Sequence, residues 1–149
     1  MASEALLALL RDAEGWESKP YLCPAGFPTI GFGHRIPSME HHELSPAEGE
    51  TLLAEDVAKM ESAVLKICPM LIGEPQPRID AMVDFAFNLG PNRIHHTTLE
   101  KRIAVKDWLG AAAQLRRWVY ATVDGKATRL PGLVKRRERA AKWMSEGVA

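Results

Sequence analysis

The stretch from Ser45 to Pro69 constrains the fold most, because it contains both ends of a long amphipathic helix. Ser45, Pro46 and Glu48 form a capping pattern, in which the serine caps the helix, proline takes the first helical position and the glutamate can return a hydrogen bond to the cap. Apolar residues then recur at helical spacing and stop before Pro69, where a helix is expected to end. They are Leu53, Val57, Met60, Val64 and Ile67.

Similar apolar stripes predict further helices on both sides of this one. Ser3 can cap a first helix that stops at Gly15 and so ends near Glu14. A proline-rich connector at 74–77 precedes a helix that ends at Gly90, and the last helix begins near Pro131. The stripes are Leu6, Leu7 and Leu10; Ile79, Met82, Val83 and Ala86; Trp108, Ala111, Ala112, Leu115, Trp118 and Val119; and Leu133, Ala140 and Met144.

Between Lys19 and His34 the helical period disappears, and apolar residues are separated by turn-forming glycines and a proline. This pattern predicts a short β-hairpin, and Asp124-Gly125 marks a further turn. The sequence therefore predicts a mainly α (α+β) fold whose only sheet lies near the N-terminus. The chain has 149 residues, so we expect a single domain over 1–149. Within it we expect a hairpin subdomain at about 15–45 and a helical part at about 46–149. The N-terminal helix 3–14 is expected to join the helical part.

Charge and cysteine content exclude several classes of protein. Lys plus Arg and Asp plus Glu each total 19, so no bulk attraction to nucleic acid or membranes is expected. The basic stretch at 135–142 is interpreted as a solvated helix face, since Glu138 interrupts it.

Cys23 and Cys68 are too few for a disulfide scaffold and could be bridged or free. The apolar run at 5–10 is too short for a signal peptide or a spanning helix, so the product is expected to accumulate where it is made.

Glu14 is the first residue whose position indicates chemistry. It lies four residues after Leu10 and seven after Leu7, so on a continuing helix it extends the apolar stripe. A carboxyl group there would be partly desolvated, and desolvation favours the protonated form that a general acid needs. An exposed helix end is the alternative, and periodicity alone leaves both open.

The spacing of later residues resembles a known family. Eight residues separate Glu14 from Cys23, five more separate Cys23 from Thr29, and the run Ile30-Gly31-Phe32-Gly33-His34 follows. This arrangement resembles the phage-type lysozymes (endolysins) of glycoside hydrolase family 24. Further matching segments occur in the same order over nearly the whole chain. They are Phe87-Asn88-Leu89-Gly90, Thr97-Thr98-Leu99, Trp108, Trp118 and Gly132-Leu133-Val134-Lys135-Arg136-Arg137.

The resemblance implies a lysozyme-like fold, with a cleft between the hairpin side and a C-terminal helical bundle. It also implies hydrolysis of the β-1,4 bond between N-acetylmuramic acid and N-acetylglucosamine in peptidoglycan, by inversion and without metal or organic cofactor. Glu14 would be the acid, Cys23 would take a position that is usually Asp and sometimes Cys, and Thr29 would position water. Cys23 could instead be a small buried residue or half of a bridge, and Thr29 an ordinary strand residue.

The resemblance also suggests structural and substrate-contacting residues. It implies that His34 pairs with Asp56, and that Phe87 and Thr98 line the saccharide cleft. The adjacent histidine pairs at 41–42 and 95–96 lack the spacing of metal ligands, so no metal site is expected. By position relative to Leu133, at least one of Arg136 and Arg137 leans toward the apolar face, where a guanidinium requires a carboxylate. We expect that carboxylate to be Glu14.

The expected partner is peptidoglycan, with no nucleic acid and no stable membrane insertion. A monomer is expected in the host cytoplasm before lysis, released to the cell wall through a separate holin-type permeabilising protein. Two other classes stay open. One is a non-catalytic peptidoglycan-binding descendant of the fold, and the other is a lytic transglycosylase, which would not need Cys23 and Thr29 to position water. An amidase with a cysteine nucleophile has less support, because no partner histidine accompanies Cys23.

Overall fold

The computed structural model describes all residues, Met1–Ala149, and confirms the mainly α fold with a small N-terminal sheet. Six α-helices are joined by five short strands and two 3-10 turns. The helices are α1 Glu4–Glu14, α2 Pro46–Ile67, α3 Gln76–Leu89, α4 Thr98–Ala104, α5 Trp108–Leu115 and α6 Pro131–Glu146. The strands are β1 Glu17–Leu22, β2 Pro28–Gly31, β3 His34–Arg35, β4 Tyr120–Val123 and β5 Lys126–Arg129, and the 3-10 turns are Pro69–Leu71 and Pro91–Ile94.

The chain divides into two compact units, residues 2–59 and residues 60–149 with Met1. The boundary falls within α2, after Lys59, so the N-terminal helix belongs to the same unit as the first sheet. No helix is both long and apolar enough to cross a membrane.

The predicted ends of α1 and α2 are confirmed by their caps. The Ser3 hydroxyl accepts from the backbone N–H of Leu6 at 3.2 Å, and α1 stops at Gly15, whose φ of 72° suits a glycine. At the start of α2, the Ser45 N–H donates to the Glu48 carboxylate at 2.9 Å and the Glu48 N–H donates to the Ser45 hydroxyl at 3.2 Å. This reciprocal pair is the capping box that the sequence predicted.

A three-stranded antiparallel sheet, ordered β1-β2-β3, forms the core of the first unit together with the start of α2. The register pairs Tyr21 with Thr29 and Thr29 with Arg35. Trp16 packs against this core and lies over the backbone of α2, where a Cβ added at Gly49 would stand 2.0 Å from its ring. The buried residues of this core are Ile30, Ile36 and Leu44, with Leu52 partly buried against them.

Helix α6 is the centre of the second unit, since it packs against both α3 and α5, and α4 packs against α5. Every residue of α3 from Ile79 to Ala86 is buried, two aspartates included. This helix begins at Gln76, inside the predicted 74–77 connector, because Pro77 is tolerated in the first helical turn.

Two sequence predictions in the second unit are wrong. The predicted stripe from Trp108 to Val119 is helical only to Leu115, and Trp118 and Val119 lie beyond the helix. The N-terminal sheet is not the only one, because β4 and β5 form a second antiparallel hairpin around Asp124-Gly125. Both turn residues have positive φ, 49° and 76°, as tight two-residue hairpin turns require. The strands are short and mostly exposed, so no buried alternation marked them in the sequence.

Candidate active site

Glu14 is the last residue of α1 and is half-buried, which decides against a fully exposed helix end. Its carboxylate lies against the backbone of Gly33, between β2 and β3. Gly33 has a φ of 72°, and a Cβ added there would stand 2.7 Å from Glu14 Oε2. Glycine at this position therefore both permits the turn and leaves room for the carboxylate.

Cys23 begins the turn between β1 and β2 and carries a free, half-buried thiol. The turn is held by the Gly26 N–H, which donates to the Cys23 carbonyl at 2.8 Å, and by the Cys23 N–H, which donates to the Phe27 carbonyl at 3.0 Å. Hydrogen bonding to the Phe27 backbone lowers the pKa of Cys23. Desolvation opposes this lowering, and the Ala25 backbone, the Thr29 hydroxyl and the Arg35 charge add to it. The surroundings thus favour the thiolate, which is the reactive form of cysteine.

Thr29 lies on β2 and is 2 % exposed. Its hydroxyl donates to the Phe27 carbonyl at 2.8 Å and is also close enough to form a hydrogen bond with the Cys23 thiol. The structure therefore brings Thr29 and Cys23 together.

Two residues that the sequence analysis did not name complete the surroundings of Cys23. Tyr21 pairs with Thr29 across the strands, and its pKa is raised by desolvation and by the charges of Glu14, Cys23 and Glu17. Arg35 pairs with Thr29 on the other side, and its guanidinium lies 4.1 Å from the centre of the Phe27 ring. Cross-strand register placed both residues, and the sequence alone contained no signal for it.

The expected pair of His34 and Asp56 is present. His34 Nδ1 lies 2.8 Å from Asp56 Oδ2, which joins β3 to α2 within the first unit. The rings of His41 and His42 are stacked, with centroids 4.5 Å apart. No group of three or more His, Cys, Asp or Glu side chains is arranged to hold a metal ion.

In the second unit, the carboxylate that serves Arg136 and Arg137 is Asp84 on α3, which the sequence analysis missed. Arg136 Nη2 lies 2.6 Å from Asp84 Oδ1, and Arg137 Nη1 lies 3.8 Å from Asp84 Oδ2. Arg137 also donates to the side-chain carbonyl of Asn88. Burial lowers the pKa of Arg137 to about 10, against the opposing effect of the Asp84 charge. The expected pairing with Glu14 stays a prediction.

A signal for Asp84 existed in the sequence, because a single carboxylate between Val83 and Phe85 interrupts an apolar stripe and requires a buried cation. With two guanidinium groups and one carboxylate, the cluster carries one excess positive charge. The cluster links α6 to the C-terminal end of α3, where Phe87 and Asn88 lie.

Thr98 and Phe87 have different surroundings. Thr98 is exposed at the first residue of α4 and lines a depression of about 450 Å³. Phe87 is half-buried on α3 and is not among the residues that line this depression. The lining residues are His96, Thr97, Thr98, Leu99, Gln114, Arg117 and Trp118.

Residues 11–140 match the family model described as phage lysozyme. The chain belongs to the phage lysozyme family. An endolysin of Acyrthosiphon pisum secondary endosymbiont phage 1 is 36% identical over 91% of this chain and 92% of its own length. The solved endolysin from Escherichia coli O157:H7 phage FAHEc1 is 30% identical, with a TM-score of 0.83 over 99% of this chain and 95% of its own. The muramidase domain of SpmX from Asticaccaulis excentricus is 25% identical, with a TM-score of 0.82 over 97% of each chain.

The first unit of this phage lysozyme family member carries groups that suit glycoside hydrolysis. That reaction requires an acid for the leaving oxygen and a second group for the attacking water. Glu14 can donate a proton, and Cys23 with its lowered pKa can accept one. The Thr29 hydroxyl adds a hydrogen-bonding group beside the thiol.

Proposed function

We propose that this protein is a muramidase, which hydrolyses the β-1,4 bond between N-acetylmuramic acid and N-acetylglucosamine. As a phage lysozyme it is a hydrolase that degrades peptidoglycan, and its endolysin relatives indicate a role in lysis of the host cell. The observation that carries the proposal is the Cys23–Thr29 pair on the hairpin that follows Glu14, in a chain that matches this family from residue 11 to 140. The name of the SpmX muramidase domain supports the choice of bond.

In the proposed mechanism, Glu14 protonates the glycosidic oxygen while water attacks the anomeric carbon from the opposite face. The bond from that carbon to the leaving oxygen breaks, and the configuration inverts. The Cys23 thiolate accepts the proton that water loses, and Thr29 holds the water by a hydrogen bond. The lowered pKa of Cys23 supports this role, because it raises the fraction of thiolate near neutral pH.

Phe87 and Thr98 are proposed to contact the substrate. Thr98 has the stronger support, since it is exposed at a depression that also presents the side chains of Gln114 and Arg117. These polar groups can donate hydrogen bonds to sugar or peptide oxygens. His34, Asp56, Arg136 and Arg137 are proposed as structural support, each through the pair described above.

We further propose that the protein is monomeric, is held in the host cytoplasm before lysis and reaches the cell wall through a separate holin-type protein. Sedimentation velocity on the purified protein tests the first point. Lysis timing in cells that express the protein with and without a permeabilising partner tests the others.

Digestion of purified peptidoglycan by wild type and Glu14→Gln tests the reaction. The variant keeps the shape of the side chain but cannot donate the proton, so we expect turnover to fall by about 10²–10⁴-fold. New reducing ends of muramic acid, identified chemically and by mass spectrometry, are expected from the wild type. Glu17→Gln changes an exposed glutamate on β1 and serves as the matched control, with turnover close to wild type.

Other products would change the assignment. Anhydromuramic ends would show a lytic transglycosylase, which does not consume water. Binding to peptidoglycan without any released product from the wild type would show a lysozyme fold that has lost its chemistry.

A further inference from the structure

The outer face of α6 borders a depression in the second unit with a volume of about 690 Å³. We call it the α6 groove, and it lies in a part of the molecule that the proposed reaction does not use. Its lining is dominated by charge, with five cationic and two anionic side chains. They are Arg116, Arg129, Lys135, Arg139 and Lys142, with Glu138 and Glu146.

Four of the five cations in the α6 groove are unpaired. Arg116 donates to Glu138 through two bonds, of 2.9 and 3.0 Å, so these two charges neutralise each other. The side chains of the other four make no ion pair or hydrogen bond and are exposed. Three of them, Lys135, Arg139 and Lys142, are spaced four and three residues apart, which places them on one face of α6. Because the whole chain has no net charge, this positive field is a local feature.

The shape and lining argue against two kinds of anionic partner. A membrane-binding helix inserts its apolar face into lipid, but the apolar face of α6 is packed inside the second unit, with Ala140, Trp143 and Met144 buried. Single-stranded nucleic acid is held by stacking on aromatic side chains, and no aromatic residue lines the groove.

A short acidic peptide fits the lining better. Pro131 and Val134 supply apolar surface beside the unpaired cations, so the groove can contact methyl groups and carboxylates along one chain. The stem peptides of peptidoglycan combine these two features, since alanine methyl groups alternate with residues that carry free carboxylates. Arginine and lysine can bind those carboxylates by charge-assisted hydrogen bonds.

We propose that the α6 groove binds the carboxylates of peptidoglycan stem peptides and so holds polymeric substrate at a second site. The proposal rests on peptidoglycan being the substrate. It extends that function by assigning a recognition role to the peptide part of the wall, separate from the sugar bond that is cleaved.

Co-sedimentation with purified sacculi measures this binding directly. To prevent digestion, every protein carries Glu14→Gln. The test variant adds Lys135→Gln, Arg139→Gln and Lys142→Gln, which suit a helix as well as the original residues. The control adds Lys59→Gln, Lys66→Gln and Lys101→Gln, which remove the same charge at exposed helical sites outside the groove. We expect the groove variant to bind sacculi about tenfold more weakly and the control to change less than about twofold.

Chemical blocking of the peptide carboxylates identifies the ligand. Sacculi whose carboxylates have been amidated with carbodiimide and ethanolamine should bind the groove variant and the control equally. The proposal is overturned if the two bind untreated sacculi equally, or if the groove variant keeps its defect on amidated sacculi. It is also overturned if only binding to anionic vesicles or to DNA depends on the groove.

A failure of the proposed function would look different. If the proposed function is wrong, wild-type protein will release no reducing ends from sacculi. This digestion result does not depend on whether the groove variant binds sacculi in co-sedimentation.

Discussion

At the scale of single residues, Cys23 has the surroundings that differ most from those of an ordinary buried cysteine. It is half-buried and unbridged, and its pKa is lowered chiefly by hydrogen bonding to the Phe27 backbone. A cysteine that only packs as a small apolar side chain does not need hydrogen-bond donors and a guanidinium around its thiol, as Cys23 has in Thr29 and Arg35. Cys23 is therefore the residue whose replacement tests the proposed mechanism most directly.

The proposed reaction needs the Cys23 thiolate while Glu14 still carries its proton, so the pH–rate profile should have a rising limb that depends on Cys23. Thiolate forms as pH increases through the pKa, and because that pKa is lowered, the rising limb should lie below the ordinary value of 9.0. Cys23→Asp should move this limb several pH units toward acid, since aspartate ionises near pH ~3.9. Cys23→Ala should lose most activity. A pH–rate profile of reducing-end release measures all three proteins.

Cys68→Ala is the control for this series and should leave the rising limb in place. Full activity of Cys23→Ala at every pH would show that the sulfur takes no part in the reaction.

Gly33 should be required for activity as well as for its turn. Gly33→Ala places a methyl group 2.7 Å from Glu14 Oε2 and strains a φ of 72°. Gly125→Ala strains a similar φ of 76° but meets no atom within 4 Å, so it isolates the backbone effect. Both should lose about 1–2 kcal/mol of the free energy of unfolding, and only Gly33→Ala should lose turnover. Urea titrations and peptidoglycan digestion measure these effects, and equal activity in the two variants would contradict the role assigned to Gly33.

At the scale of elements, the ends of the helices were predictable because their signals are local. Ser3, Ser45 and Gly15 act on groups within four residues of themselves, so the sequence contains the complete interaction. The β4–β5 hairpin was missed because its strands are mostly exposed and lack a buried alternation. Only its turn, at Asp124-Gly125, has a local signal.

The attachment of α6 to α3 depends on Asp84, which is fully buried between two guanidinium groups. Asp84→Asn removes the negative charge that pairs with both arginines, and breaking a buried pair costs about 3–5 kcal/mol of the free energy of unfolding. Glu138→Gln, on α6, removes an exposed partner of Arg116 and should cost less than about 1 kcal/mol. Urea denaturation compares the two, and similar losses would show that the buried cluster contributes little.

At the scale of the whole molecule, the two cysteines should differ sharply in reactivity. Cys68 is 3 % exposed, and burial raises its pKa to about 12, whereas Cys23 is half-buried with a lowered pKa. Iodoacetamide at neutral pH should therefore modify Cys23 alone in the folded protein. Both thiols should react once urea unfolds the chain, since neither is bridged.

Mass spectrometry of peptides after timed alkylation measures this difference. Equal labelling of the two cysteines before unfolding, or a bridge between them, would contradict the structure.

The sequence by itself determined the mainly α fold, most helix boundaries and the spacing of Glu14, Cys23 and Thr29, because capping, periodicity and spacing are properties of neighbouring residues. Only the tertiary structure decided which residues surround that set. Tyr21 and Arg35 came beside Thr29 through strand register, and Asp84 became the partner of two arginines some fifty residues away through helix packing. Such contacts join distant parts of the chain, so neighbouring residues do not identify the partner, and strand pairing and helix packing in the folded molecule select it.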